Sequence, residues 1–281
     1  MDIRCQNCFL KTYNHLFGKF AVKESLQQQF LNYLDELLIQ NRYLSSPEIQ
    51  RLLSHEFCKL IDISDPFFEE KRLSNQIALE LYSNCKNDMS VNNFNKALRL
   101  AIAGNIMDYG ASNSFDLDST IENVLNASFA IDHSKLLQKA IEGSENILYL
   151  GDNAGEIVFD RLFIETALRS NNVTYVVKDS PVLNDVTIDD AKDVSMSEVA
   201  NVISNGYDAP STVLTKCSDE FIRMYNKADV IISKGQGNFE GLLNENDSRL
   251  YFLLMVKCDV IADMLNVRKG SFIVYNSNLH S

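Results

Sequence analysis

Four short polar stretches in the second half of the chain carry residue types suited to holding a hard cation and an anionic ligand. They are Gly151-Asp152-Asn153-Ala154-Gly155-Glu156, Lys178 through Asn184-Asp185, Ser233-Lys234-Gly235-Gln236-Gly237-Asn238-Phe239-Glu240, and Lys257-Cys258. Asp152, Asn153 and Asp185 offer oxygen donors with neither cysteine nor histidine among them, a set that favours Mg²⁺ or Mn²⁺ over structural zinc. A divalent cation there would polarise a phosphoryl oxygen and acidify a water. Lys178, Lys234 and Lys257 would add local positive charge, and glycine-flanked amides at helix starts would complete a phosphate cradle. Taken singly, Gly151–Glu156 reads equally well as a strand-to-helix turn with an Asp or Asn N-cap, and Asn184-Asp185-Val186-Thr187 as an N-cap cluster. What turns them into a site is where they fall.

Each stretch directly follows a short apolar run: Ile147–Leu150, Val173–Val177, Val230–Ile232 and Tyr251–Val256, with Phe272–Tyr275 as a fifth strand candidate. Between the first two runs, Phe159, Leu162, Phe163 and Ala167 share one helical face. Strand–helix–strand alternation predicts a mainly parallel sheet with right-handed crossovers, whose carboxyl edge would gather all four stretches. Before Gly143 the pattern is nearly all helix-period. Ser46-Pro47 reads as an N-cap with proline at the first helical position, opening a helix to about Ile61, and Asp65-Pro66 introduces another. Ser90 is expected to cap the helix carrying Phe94 and Leu98. A helix from about Asp132 is expected to end on a left-handed Gly143. The expectation is an α/β protein in two parts: residues 1–143 helical, and residues 144–281 Rossmann-like, with helices flanking the sheet.

The chain has 281 residues, 46% of them hydrophobic and 23% charged, as in ordinary globular proteins. Its net charge of −12 argues against a nucleic-acid partner and against an anionic membrane surface. Met1-Asp2-Ile3-Arg4 shows no basic stretch leading into an apolar run, and no apolar run approaches a membrane span, so a soluble, cytoplasmic protein is expected. The six cysteines are mostly scattered and read as thiols. Cys5-x-x-Cys8 lacks the preceding strand of a redox motif and the second close pair of a zinc site, and its role is left open. The four histidines stand apart, and no histidine-based triad is visible.

The Gly-Asp-Asn-Ala-Gly-Glu loop, the Pro181-x-x-Asn184-Asp185-x-Thr187 segment and the Lys-Gly-Gln-Gly-Asn-(aromatic)-Glu loop resemble, in order and spacing, the prokaryotic branch of the damage-control phosphatases. This family is also named after a proposed acidic-residue methyltransferase. Asp65-Pro66-Phe67 with Lys71 and Asn75, Gly104-Asn105-Ile106-Met107-Asp108, and Cys5-x-x-Cys8 extend the resemblance over nearly the whole chain. It implies a helical part packed on a Rossmann-like domain, and hydrolysis of a small phosphorylated metabolite such as a phosphosugar with Mn²⁺, Mg²⁺, Co²⁺ or Ni²⁺. It implies Asp152, Asn153 and Asp185 as metal ligands, with Asp152, Asp185 and Lys234 catalytic. Asn105, Asp108, Glu156, Lys178, Asn184, Gly235, Gly237, Asn238 and Lys257 would line the substrate pocket. Attack by a water or by an aspartate stays open. Asp179 departs from the glycine implied there. Two other readings share these loops: an S-adenosylmethionine-dependent methyltransferase, with Asp179 on a ribose, and a non-catalytic module binding metal or sugar phosphate.

Overall fold

The computed structural model describes residues 2–87, 93–104 and 125–278. Three helices open the chain: α1 (Ile3–Lys19), α2 (Glu24–Gln40) and α3 (Ser46–Ile61). They bury their apolar stripes against one another around Phe9, Tyr13, Phe17, Phe30 and Phe57. The Tyr13 hydroxyl, buried in that cluster, accepts a hydrogen bond from Gln50 Nε2 at 2.8 Å. The N-cap of α3 is Ser45 rather than Ser46. Ser45 and Glu48 cap each other reciprocally, which moves Pro47 to the second helical position.

The next two helices, α4 (Phe68–Asn87) and α5 (Phe94–Ala103), leave the bundle and cover the sheet. Ser90, the expected cap of α5, lies outside the described residues; Asn93 caps that helix, its Oδ1 accepting from Lys96 N at 3.2 Å. Then follow β1 (Phe129–Asp132), α6 (Ser134–Glu142), β2 (Asn146–Leu150), α7 (Glu156–Ala167), β3 (Asn172–Val177), α8 (Ile188–Asp193) and β4 (Asn201–Ser204). The chain closes with α9 (Asp219–Lys227), β5 (Val230–Lys234), α10 (Gly235–Leu242), β6 (Leu250–Met255), α11 (Asp259–Leu265) and β7 (Phe272–Tyr275). Gly143 ends α6 at φ −95°, not in the left-handed region. There the Ser144 hydroxyl donates to Ala140 O at 2.6 Å, satisfying a terminal carbonyl without a left-handed residue.

The seven described strands form one sheet in the order β1-β7-β6-β5-β2-β3-β4. Every neighbouring pair is parallel except β6–β7. All five expected strands are present. The two short edge strands, β1 and β4, carry too little apolar pattern to stand out, and β1 joins the sheet from the part of the chain before residue 143. One face packs under α4, α5, α6 and α7 through Ile147, Tyr149, Tyr175, Ile232 and Leu253. The other packs under α9, α10 and α11 through Leu148, Leu150, Ile231, Phe252 and Leu254.

After β2 the chain builds outward through β3 and β4, then returns to lay β5 on the other flank of β2. The β2 and β5 loops therefore diverge from adjacent strand ends and leave a crevice between them. No helix of the described residues is long and apolar enough to cross a membrane.

Candidate functional site

The crevice at the ends of β2 and β5 brings the first three polar stretches together. Past β2 and β3 the chain makes a short antiparallel bridge between Asn153 and Asp185. Val186 N donates to Asp152 O and Ala154 N to Asn184 O, each at 2.9 Å. Asp152, Asn153 and Asp185 thus sit on two segments tied by backbone. Asn153 Nδ2 donates to Asp152 Oδ2 at 2.7 Å, which leaves the amide oxygen as the ligand-capable atom of Asn153.

From the other flank, Gly235 presses on the same point. Its φ is +77°, and a Cβ there would lie 2.0 Å from Asp152 Oδ2, so only glycine lets β5 turn into α10 beside this carboxylate. Gly237 has a different reason to be glycine. A Cβ on it would lie 1.9 Å from Pro210 O, so the loop before α9, rather than a ligand, approaches its backbone.

The lysines divide. Lys178, at the end of β3, is buried; its Nζ donates to Asn238 Oδ1 at 2.8 Å and stands 3.7 Å from Asp185 Oδ2. Lys234 has another place than a phosphate contact requires. Fully buried, its Nζ donates to Ala101 O at 2.8 Å, to Asp160 Oδ1 at 2.5 Å and to Glu156 Oε1. Three partners account for its three N–H groups. Burial opposes its charge, but Asp160 and Glu156 outweigh that and hold its pKa above the ordinary value.

Asp160 also accepts from the hydroxyls of Tyr149 and Tyr175, at 2.7 and 2.8 Å. Burial, with Asp160 beside them, keeps both phenols protonated far above the usual range. Glu156, the first residue of α7, has its Oε2 buried without a hydrogen bond. Burial pushes its pKa up to about 8; Lys234 opposes this, while Asp152 and Asp160 add to it.

Asn238 is also fully used. Its Nδ2 donates to Gly151 O and Lys234 O, at 3.0 and 2.9 Å, and its Oδ1 accepts from Lys178 and from the Thr212 hydroxyl. Asn184 is half-buried and contributes its carbonyl to the bridge. Lys257 is half-buried at the end of β6, its backbone N donating to Gln236 Oε1 at 3.1 Å. Asn105 and Asp108 lie outside the described residues. The last one before them, Gly104, lies against the site: a Cβ on it would be 3.0 Å from Glu156 Cα.

From the helical side, Asn75 Oδ1 accepts from Gly155 N at 2.6 Å, and Lys71 bridges Asp65 and Asp190, each at 2.9 Å. Asp179 is exposed, with its carboxylate held by the Ser204 hydroxyl at 2.9 Å. All six cysteines are free thiols. Residue patterns alone did not single out Asp160, Tyr149 and Tyr175. The one available signal is the i, i+4 spacing of Glu156 and Asp160 on the inner face of a helix otherwise apolar there.

A cation fits this crevice on two counts. Buried carboxyl groups (Asp152, Asp185, Glu156 and Asp160) outnumber buried ammonium groups (Lys178 and Lys234), and the balance stays acidic even with Glu156 protonated. The donors on the two bridged segments are two carboxylates and one amide, all offering oxygen. Among the described residues no three His, Cys, Asp or Glu side chains gather as a metal cluster.

Residues 1–273 match the profile of the damage-control phosphatase ARMT1-like domain. A damage-control phosphatase from Pyrococcus horikoshii is 40% identical over 225 residues, 79% of this chain and 78% of that protein. A second damage-control phosphatase, from Archaeoglobus fulgidus, is 26% identical over 280 residues, 96% of each chain. The crystal structure of a DUF89 family protein from Pyrococcus horikoshii superposes with a TM-score of 0.91 at 33% identity, covering 99% of both chains.

Proposed function

The chain belongs to the damage-control phosphatase ARMT1-like domain family, and on that premise we propose that it hydrolyses the phosphate ester of a small phosphorylated metabolite, with a divalent cation held by Asp152, Asn153 and Asp185. The observation that carries this reading is the bridge between Asn153 and Asp185, which holds the three oxygen donors on paired backbone segments at the switch point of the sheet. A cation bound there supplies positive charge against the phosphoryl oxygens.

Lys178 points its ammonium group into the same crevice and offsets charge that develops on the phosphoryl group. Glu156, enclosed beneath the donors with its Oε2 unbonded, supports the site rather than touching substrate. Lys234 and Asp160 keep Glu156 in place from beneath, a supporting role rather than contact with phosphate. For Asn105 and Asp108, outside the described residues, the proposed substrate-binding role rests on the family resemblance alone.

Calorimetric titration of Mn²⁺ into the wild type, Asp185→Ala and Asp185→Asn, alongside turnover of phosphosugars and p-nitrophenyl phosphate, tests the assignment. Asp185→Ala should lose metal binding and turnover, and Asp185→Asn, which keeps the shape without the charge, should fall between. Unchanged binding and turnover in Asp185→Ala would overturn the site.

A further inference from the structure

The distance between Lys178 and Asp185 is unusual for two buried opposite charges. Charge-assisted contacts close to about 2.7–2.9 Å when nothing holds the partners apart, yet Lys178 Nζ stops 3.7 Å from Asp185 Oδ2. What it does meet at contact distance is Asn238 Oδ1, at 2.8 Å.

Asn238 cannot follow the lysine. Its Nδ2 is anchored to the carbonyls that end β2 and β5, Gly151 O and Lys234 O, and the Thr212 hydroxyl shares its Oδ1. Reversing the amide would place its oxygen against two carbonyl oxygens and its nitrogen against an ammonium group, so only one orientation satisfies the site. The side chain is fully buried on α10 and tied at both ends of its amide.

We propose that Asn238 is a positioning residue that holds Lys178 off Asp185, so that the lysine does not compete with the divalent cation for that carboxylate. The inference rests on Asp185 being a metal ligand, as proposed above. It gives Asn238 a role different from substrate contact, for which no donor or acceptor of its amide is left over. Without the amide, Lys178 closes on Asp185. Shortening the pair from 3.7 Å to about 2.8 Å at an effective dielectric of about 20 should weaken cation binding about tenfold.

The test is Mn²⁺ titration by calorimetry on the wild type, Asn238→Ala, Lys178→Met and the double variant, with far-ultraviolet circular dichroism and thermal unfolding as a check on folding. Asn238→Ser, whose hydroxyl still reaches toward one carbonyl, replaces Asn238→Ala if the latter does not fold. Asn238→Ala should bind Mn²⁺ about tenfold more weakly. In the Lys178→Met background, where no lysine is left to close, the same substitution should change Mn²⁺ affinity by less than about twofold. A merely structural role for Asn238 would lower the unfolding temperature in both backgrounds and leave Mn²⁺ affinity unchanged, and that result overturns the inference. Equal weakening in both backgrounds overturns it as well. Absence of Mn²⁺ binding in the wild type would instead remove the metal reading itself, a separate outcome.

Discussion

Lys234→Met separates two roles for one residue. The methionine keeps the length and burial of the side chain but removes the ammonium group from between Glu156 and Asp160, both fully enclosed. Removing one partner of a buried ion pair costs about 3–5 kcal/mol, because a charge is left without compensation. Here two carboxylates lose the same counter-ion, while the Tyr149 and Tyr175 hydroxyls still serve Asp160. A loss of about 3–5 kcal/mol is therefore expected, which in a chain of this size lowers the unfolding temperature by roughly 10 °C. The loss should grow with pH, since the stranded carboxylates escape the cost at low pH by taking up protons. Urea unfolding of both proteins at pH 5.5 and pH 8 measures it. If Lys234→Met unfolds at the wild-type urea concentration but has lost turnover, the lysine touches the substrate, as the family pattern alone implies, and the buried network has been misread.

Three other outcomes follow. Gly235→Ala should cost about 2–4 kcal/mol and lose Mn²⁺ binding, since its Cβ would lie 2.0 Å from Asp152 Oδ2 at a left-handed φ; thermal unfolding and calorimetry read the two effects. Glu156 has its folded pKa raised to about 8 from 4.5, so its favourable contribution is complete below the unfolded value and is lost as pH rises through about 8. Metal-free wild type should lose stability over that window, and Glu156→Gln should flatten the slope in urea unfolding. Asp208 ties Arg51 and His55 of α3 to the loop before α9, and its pKa is held low by these partners against the effect of burial. Its contribution is present above the unfolded pKa and lost on acidification, and Asp208→Asn should remove about 1 kcal/mol at pH 7, because the cluster is partly exposed and screened.

Much of this arrangement can be read from residue order. The apolar runs ending at Leu150, Val177 and Ile232 mark strands, and in a parallel sheet the polar residues after them must share an edge. The convergence of Asp152 and Asp185 is thus a matter of pattern. Which side chains face the opening is not. Lys178 and Lys234 both follow β-runs and look alike in sequence, but strand register turns Lys234 under α5 and α7, where a carbonyl and two carboxylates take its donors. Gly235 and Gly237 look alike too. One yields to a carboxylate and the other to the backbone of Pro210, a contact across more than twenty residues that no local rule contains. Strands β1 and β4 escape for a similar reason: as four-residue edges they depend on neighbours more than on their own composition.

The bridge between the β2 and β3 loops also bears on how fast the site can breathe. The amides of Gly151, Ala154, Lys178 and Val186 are all locked in hydrogen bonds of 2.9 Å that continue the sheet ladder beyond its strands. Such amides exchange with solvent through large-scale unfolding, not through the small local openings that expose ordinary loops. Exchange at these four positions should therefore track that of the central strand β2. These loops have little slack with which to mould themselves around a ligand, and the selectivity they exert comes from a shape and charge already set before the ligand arrives.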